Sequence, residues 1–268
     1  MIIIGELING TRKAVKQAIA DKDADFITGL ATRQAEAGAS FIDCNPGTTG
    51  DAEITDIAWL VQLVQSVTDK PISFDTPNPL ALRRGMEVYT GSATPMVNSI
   101  TLEAERMTNT LPIIAESGAN CVALALGDDG MPGMPGQREA TASMLIDRLL
   151  EAGVTQDRIY LDPVIAPLGT DNSAGLQVVR AITAIKAEYP QVHITAGMSN
   201  ISYGLPVRKL LNRVFMTICM AAGLDSAICD PLNMDLIAEI TAAEAILGRD
   251  EWCMSYITAF RAGKLGEA

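Results

Sequence analysis

Residues 36–45 read EAGASFIDCN. Glu36 and Ala37 end an amphipathic stretch, Gly38 supplies the positive φ that stops a helix, and FIDCN is a short apolar run ending in polar residues. The same order recurs along the chain. Glu116-Ser117-Gly118-Ala119 precedes CVALAL, Glu151-Ala152-Gly153-Val154 comes shortly before IYLDP, and Ala221-Ala222-Gly223-Leu224 comes before SAICDP. Helix, glycine stop and buried strand in repetition is the signature of a parallel β/α architecture.

Working outward gives eight strand candidates: IIIGEL (2–7), FIDCN (41–45), ISFDT (72–76), PMVNSI (95–100), CVALAL (121–126), IYLDPV (159–164), HITAGMS (193–199) and SAICDP (226–231). The segments between them carry helix periodicity. Ile54, Ile57, Val61 and Val64 line one face of a helix over about 52–68. Eight evenly spaced strands favour closure into a (β/α)₈ TIM barrel over an open doubly wound sheet. No composition break divides the chain, so residues 1–268 are expected to form a single barrel domain.

Composition narrows the function. The formal charge of −12 argues against a nucleic-acid binder, whose surface must present Lys and Arg to phosphates. No run is long and apolar enough for a membrane span, and MIIIGELING lacks the basic region of a signal peptide, so a cytoplasmic protein is expected. The five cysteines are scattered and His193 is the only histidine, which leaves no zinc spacing and no histidine-based triad. These thiols are expected to be reduced and mostly buried, and His193 to be structural.

Polar residues concentrate where a barrel keeps its chemistry, at the C-terminal ends of the strands. They are Glu6 and Asn9 on strand 1, Asp43 and Asn45 on strand 2, Asp75 on strand 3 and Asn98 on strand 4. Asp128 and Asp129 follow strand 5, Asp162 ends strand 6, Ser199-Asn200 strand 7 and Asp230 strand 8. Individually, Asp230 and Asn45 could equally be helix caps. A ring of carboxylates suits Mg²⁺, as in an aldolase-type barrel. A mixture of Asp and Asn suits a heterocycle better, because a carboxylate only accepts hydrogen bonds whereas a carboxamide also donates. A pterin, with donors at its 2-amino group, N3 and N8 and acceptors at N1, O4 and N5, fits that mixture, and no metal ligand set is expected.

IIGELING, FIDCNPG, FDTPNP, MVNS, YLDP, GMSNIS, LLNRVF and GLDSAICDP together resemble the methyltetrahydrofolate:corrinoid protein methyltransferases, related to the folate-binding domain of cobalamin-dependent methionine synthase. The resemblance spans essentially the whole chain. It implies a homodimeric barrel that moves a methyl group between N5 of tetrahydrofolate (as 5-methyltetrahydrofolate) and the cobalt of a corrinoid (cobalamin). Asp75, Asn98 and Asp162 match positions that bind the pterin ring, and Gly197 and Ser199 match the segment lining it. Asn200 matches the asparagine at N5, and Arg208 a basic position near the rest of the folate. Glu6, Asn9, Asp43 and Asn45 align with polar positions at the mouth.

Dihydropteroate synthases share this barrel and pterin pocket. They carry NVTPDSF after strand 1 and a Ser-Arg-Lys motif after strand 7, where this chain has INGTRKA and Ser199-Asn200-Ile201. The phosphate-handling residues are missing, which points to methyl transfer. The Asp-x-His-x-x-Gly motif of cobalamin modules is absent too, so the corrinoid is expected on a separate partner protein. Two features depart from the resemblance: Tyr203 stands where some relatives have glutamine, and loop 127–137 is rich in Gly, Met and Pro. The direction of transfer stays open at this level, with methyl-corrinoid to tetrahydrofolate suiting a demethylation pathway.

Overall fold

All four glycine stops do what their position in the sequence requires, with φ of 97° at Gly38, 70° at Gly118, 84° at Gly153 and 127° at Gly223. The computed structural model describes residues 1–131 and 136–265. Its strands are β1 (Ile2–Asn9), β2 (Phe41–Asn45), β3 (Ile72–Asp75), β4 (Met96–Ile100), β5 (Asn120–Leu124), β6 (Ile159–Asp162), β7 (His193–Ile194) and β8 (Ser226–Cys229). The helices are α1 (Lys13–Asp21), α2 (Ala24–Glu36), α3 (Asp51–Val67), α4 (Pro79–Val88), α5 (Ala104–Asn109) and α6 (Leu111–Ser117). After them come α7 (Gln137–Glu151), α8 (Ala174–Glu188), α9 (Arg208–Ala222), α10 (Met234–Ile246) and α11 (Met254–Arg261).

The strands are parallel and run in the order β7-β6-β5-β4-β3-β2-β1-β8. The ring closes between β7 and β8 through a parallel bridge from Gly197 to Ile228 and the bond from Asp225 N–H to Ile194 O at 3.3 Å. Strand 7 is much shorter than its apolar sequence suggests. After Ile194 the chain keeps a bond from Thr195 N–H to Leu161 O at 2.9 Å and this bridge, and then coils into a 3₁₀ turn, Met198–Ser202. That turn frees Ser199 and Asn200 from the ladder and exposes them.

Strand pleating positions the site. Inside the barrel, Ile4, Phe41, Met96, Val122 and Tyr160 form an apolar plug, with Phe41 and Tyr160 edge to face at 6.1 Å. Two residues further along each strand, about 6–7 Å higher, the same inward face carries Glu6, Asp43, Asn98, Leu124 and Asp162. Except at Leu124, the inner face thus changes from oil to hydrogen-bonding groups within one pleat. The larger core lies between the strands and the helices and includes Ile57, Val61 and Val64 of α3. His193 opens β7 at the opposite end from the mouth, stacked on Tyr160 at 4.6 Å and paired with Asp225 at 3.1 Å.

Candidate active site at the barrel mouth

Parallel register decides which polar ends meet. Asp43 stands beside Ser73, and Asp75 beside Asn98. Asp43 Oδ1 accepts the Ser73 hydroxyl at 2.6 Å and the Asn98 Nδ2–H at 3.2 Å. Asp75 Oδ2 accepts from Asn45 Nδ2 at 2.8 Å, while Asn45 Oδ1 takes the Gly47 N–H at 2.8 Å. Asp43, Asn45, Asp75 and Asn98 therefore form one cross-linked wall. Asp43 lies at its base, fully buried, whereas Asn45, Asp75 and Asn98 are partly open to the mouth.

Burial governs the protonation of this wall. It pushes the Asp43 carboxyl well above the usual range, and the neighbouring Asp75 charge adds to the effect. Asp75 is also raised by burial, against the opposing hydrogen bonds from Asn45 and Asp43 and the Arg106 charge.

On the far side, burial lifts Asp162 to about 6, opposed by hydrogen bonds from the backbone N–H groups of Val164 and Gly197. The Val164 bond measures 2.8 Å and holds a β-branched residue at φ 58°, a conformation that costs energy unless its surroundings fix it. Arg138 from α7 helps to fix it, donating Nε–H to Pro163 O at 2.7 Å and reaching Gln177 Oε1 at 3.0 Å.

The third part of the mouth is the turn after β7. A methyl group placed on Gly197 would meet only Asn200 Nδ2, at 3.9 Å, so the space beside that carboxamide is empty. The Asn200 side chain makes no hydrogen bond among the described residues and is exposed. Arg208, at the start of α9, binds Ser199 O at 2.7 Å and Ser202 Oγ at 3.1 Å, and its guanidinium lies 5.9 Å from the Tyr203 ring centre. Next to this turn a cleft is lined by Glu6, Ser199, Lys209, Arg213, Asp230 and Asn233. Arg213 is occupied by Asp235 and Glu239 at 3.1 and 3.2 Å.

Glu6 pairs with Arg12 at 3.0 Å, and burial raises its carboxyl, with Arg12 opposing and Asp230 adding to the rise. Asn9 bonds to Thr11 at N–H and Oγ1, 3.0 and 2.7 Å, as a local turn. Asp128 and Asp129 are exposed beyond β5, and loop residues 132–135 lie outside the described residues. Sequence reasoning missed Ser73, Arg138 and Arg12. Ser73 was findable, since it lies two residues before Asp75 on the same inward face; the arginines reach in from helices and loops, and no periodicity marks them. Among the described residues no group of three or more His, Cys, Asp or Glu is arranged to hold a metal ion.

A family model for pterin binding enzymes matches residues 5–230. The chain belongs to this family. It is 39% identical to the methylcorrinoid:tetrahydrofolate methyltransferase of Eubacterium limosum over 99% of this chain and 98% of that protein. It is 29% identical to the methionine synthase of Mycobacterium tuberculosis over 85% of this chain, a stretch that is 20% of that longer protein. Among solved structures, the dihydropteroate synthase from Xanthomonas albilineans superposes with a TM-score of 0.69 at 19% identity, covering 91% of this chain and 93% of that one. The 7,8-dihydropteroate synthase from Vibrio fischeri gives 0.68 at 17%, covering 92% and 93%. At such identities these pterin binding enzymes share the barrel with this chain, and the likeness carries no more than the fold.

Proposed function

We propose that this chain, acting in the cytoplasm as one pterin-binding barrel over residues 1–268, transfers a methyl group from the corrinoid of a separate protein to N5 of tetrahydrofolate. The observation that carries the proposal is the end-to-end likeness to the Eubacterium limosum enzyme, whose name states that direction. The mouth chemistry agrees with it. Asp75, Asn98 and Asp162 offer acceptors to the amino-pyrimidinone edge of the pterin, and Gly197 and Ser199 leave room for the ring face. Arg208 is the basic group offered to the rest of the folate, and Glu6 and Asn9 are further polar groups at the mouth.

The corrinoid supplies an activated methyl group in one direction and a strong nucleophile in the other. Asn200 has the donor–acceptor character the transfer needs at N5. In tetrahydrofolate N5 carries a hydrogen and needs an acceptor; in the methylated product it offers a lone pair and needs a donor. A carboxamide turns to present either, which neither a carboxylate nor an ammonium can do. Exposure of Asn200 on a turn outside the strand ladder leaves access for a docking protein. The exposed apolar side chains of Leu210, Val214 and Ile218 along α9 and of Met254 and Phe260 on α11 support a homodimer.

The test is direct. With tetrahydrofolate and a methylated corrinoid carrier, or methylcobalamin as surrogate, the protein should form 5-methyltetrahydrofolate at a rate proportional to its concentration. Binding of tetrahydrofolate without turnover from any methyl-corrinoid would overturn the proposal and leave a pterin-binding protein of another chemistry.

A further inference from the structure

Asp43 stands apart from the other mouth residues because a ligand does not reach it. It is 2% exposed and lies under Asp75 and Asn98. Its Oδ1 is saturated by two donors, the Ser73 hydroxyl and the Asn98 carboxamide N–H. The Asp75 carboxyl on the adjoining strand is its neighbour, and that negative charge disfavours ionisation of Asp43. Two ionised carboxylates have only acceptors, so the pair is relieved when one of them holds a proton.

The surroundings decide which partner keeps it. Asp75 accepts from Asn45 and feels the Arg106 guanidinium from α5, both favouring its charge, against the negative Glu53 of α3. Asp43 is more deeply buried and is faced by Asp75 of β3 and Glu6 of β1, with no cation acting on it. Beside it, burial holds the Cys44 thiol protonated. Burial and charge both favour the neutral form at Asp43, whose second oxygen is left free by Ser73 and Asn98.

We infer that Asp43 is a positioning residue of the pocket: it donates its proton to Asp75 and turns the Asn98 carboxamide so that its oxygen faces the mouth. With the Asn98 N–H engaged below, Asp75 and Asn98 both present acceptors above. The wall thereby recognises an edge of adjacent N–H donors and rejects one with acceptors in their place. This assignment rests on the pterin reading for its ligand, whereas the proton itself is a property of the free protein.

Two substitutions and two measurements test it. Asn at position 43 keeps a donor toward Asp75 and an acceptor toward Ser73 and Asn98; Ala keeps neither. Asp43→Ala should weaken 5-methyltetrahydrofolate binding about tenfold or more at pH 7, and Asp43→Asn should rescue it to within about threefold of the parent. The parent should lose affinity toward alkaline pH as the shared proton leaves, whereas Asp43→Asn should hold its affinity there. A purely structural role would not alter that profile. In the ligand-free protein at pH 7.5, infrared difference spectra should show one protonated-carboxyl stretch in the parent that Asp43→Asn removes. An unchanged infrared band, or an Asn variant as weak as the Ala variant, overturns the assignment. If the parent binds no folate, the functional proposal fails separately and the infrared band still decides where the proton resides.

Discussion

The two sides of the mouth are built differently. The wall from β2 to β4 is half-buried and cross-linked, each of its four polar side chains bonded to another residue of the wall or to the adjoining backbone. The turn after β7 is exposed; Ser199 is held through its backbone by Arg208, and Asn200 has no side-chain partner. A group that reads a fixed ligand edge gains from preorganisation, because its orienting cost is met during folding. A group that serves both the N–H and the methylated form of one nitrogen, under a docking protein, has to remain free to turn. The division is recognition on one side and reaction on the other.

The reacting side offers the largest expected effect. Asn200→Ala should lower kcat by about a hundredfold or more, as loss of one donor to a reacting atom does, with folate affinity changing only a few-fold. Stopped-flow methyl transfer alongside calorimetry separates the two quantities, and an equal loss in both would erase the division.

Asp162 on β6, across the mouth from the wall and bonded to Gly197 at the start of the turn, is tested through stability. Its carboxyl is raised from 3.8 to about 6 in the folded protein, so it contributes stability fully below pH 4 that is lost as pH rises through 6. The loss approaches about 3 kcal/mol by pH 7.5. Asp162→Asn should therefore melt higher than the parent at pH 7.5, should lose that advantage near pH 4, and should bind folate poorly at both. Thermal melts over this range check it, and a gain independent of pH would mean that the charge on Asp162 is not the cause.

The smallest effect sharpens the boundary between the sides. At Gly197 the backbone has φ −79° and ψ 86°, open to any residue, and an added methyl would touch only Asn200. Gly197→Ala should leave the melting temperature unchanged and weaken folate binding about tenfold, since the methyl occupies ligand space. Unaltered affinity would move the pterin away from this turn.

Much of this was legible in the sequence. The helix–glycine–strand repeat gave the barrel, and FIDCN matched β2 residue for residue. HITAGMS read as a strand of seven residues, yet β7 holds only His193 and Ile194, because apolar content reports burial without reporting ladder pairing. The Oδ1 of Asn9 also closes a local turn with Thr11, a contact that composition cannot show.

Local pattern by itself determined the architecture, the level at which the barrel interior turns polar, and the mixture of donors and acceptors placed there. Period-two alternation and positive-φ glycines act over a few residues, so they are written in adjacent letters. Only the tertiary structure decided that Asp43 meets Ser73 and Asn98, 30 and 55 positions away, and lies within reach of the Asp75 charge. Strand register and burial set those distances and charges, and both exist only once the ring has closed.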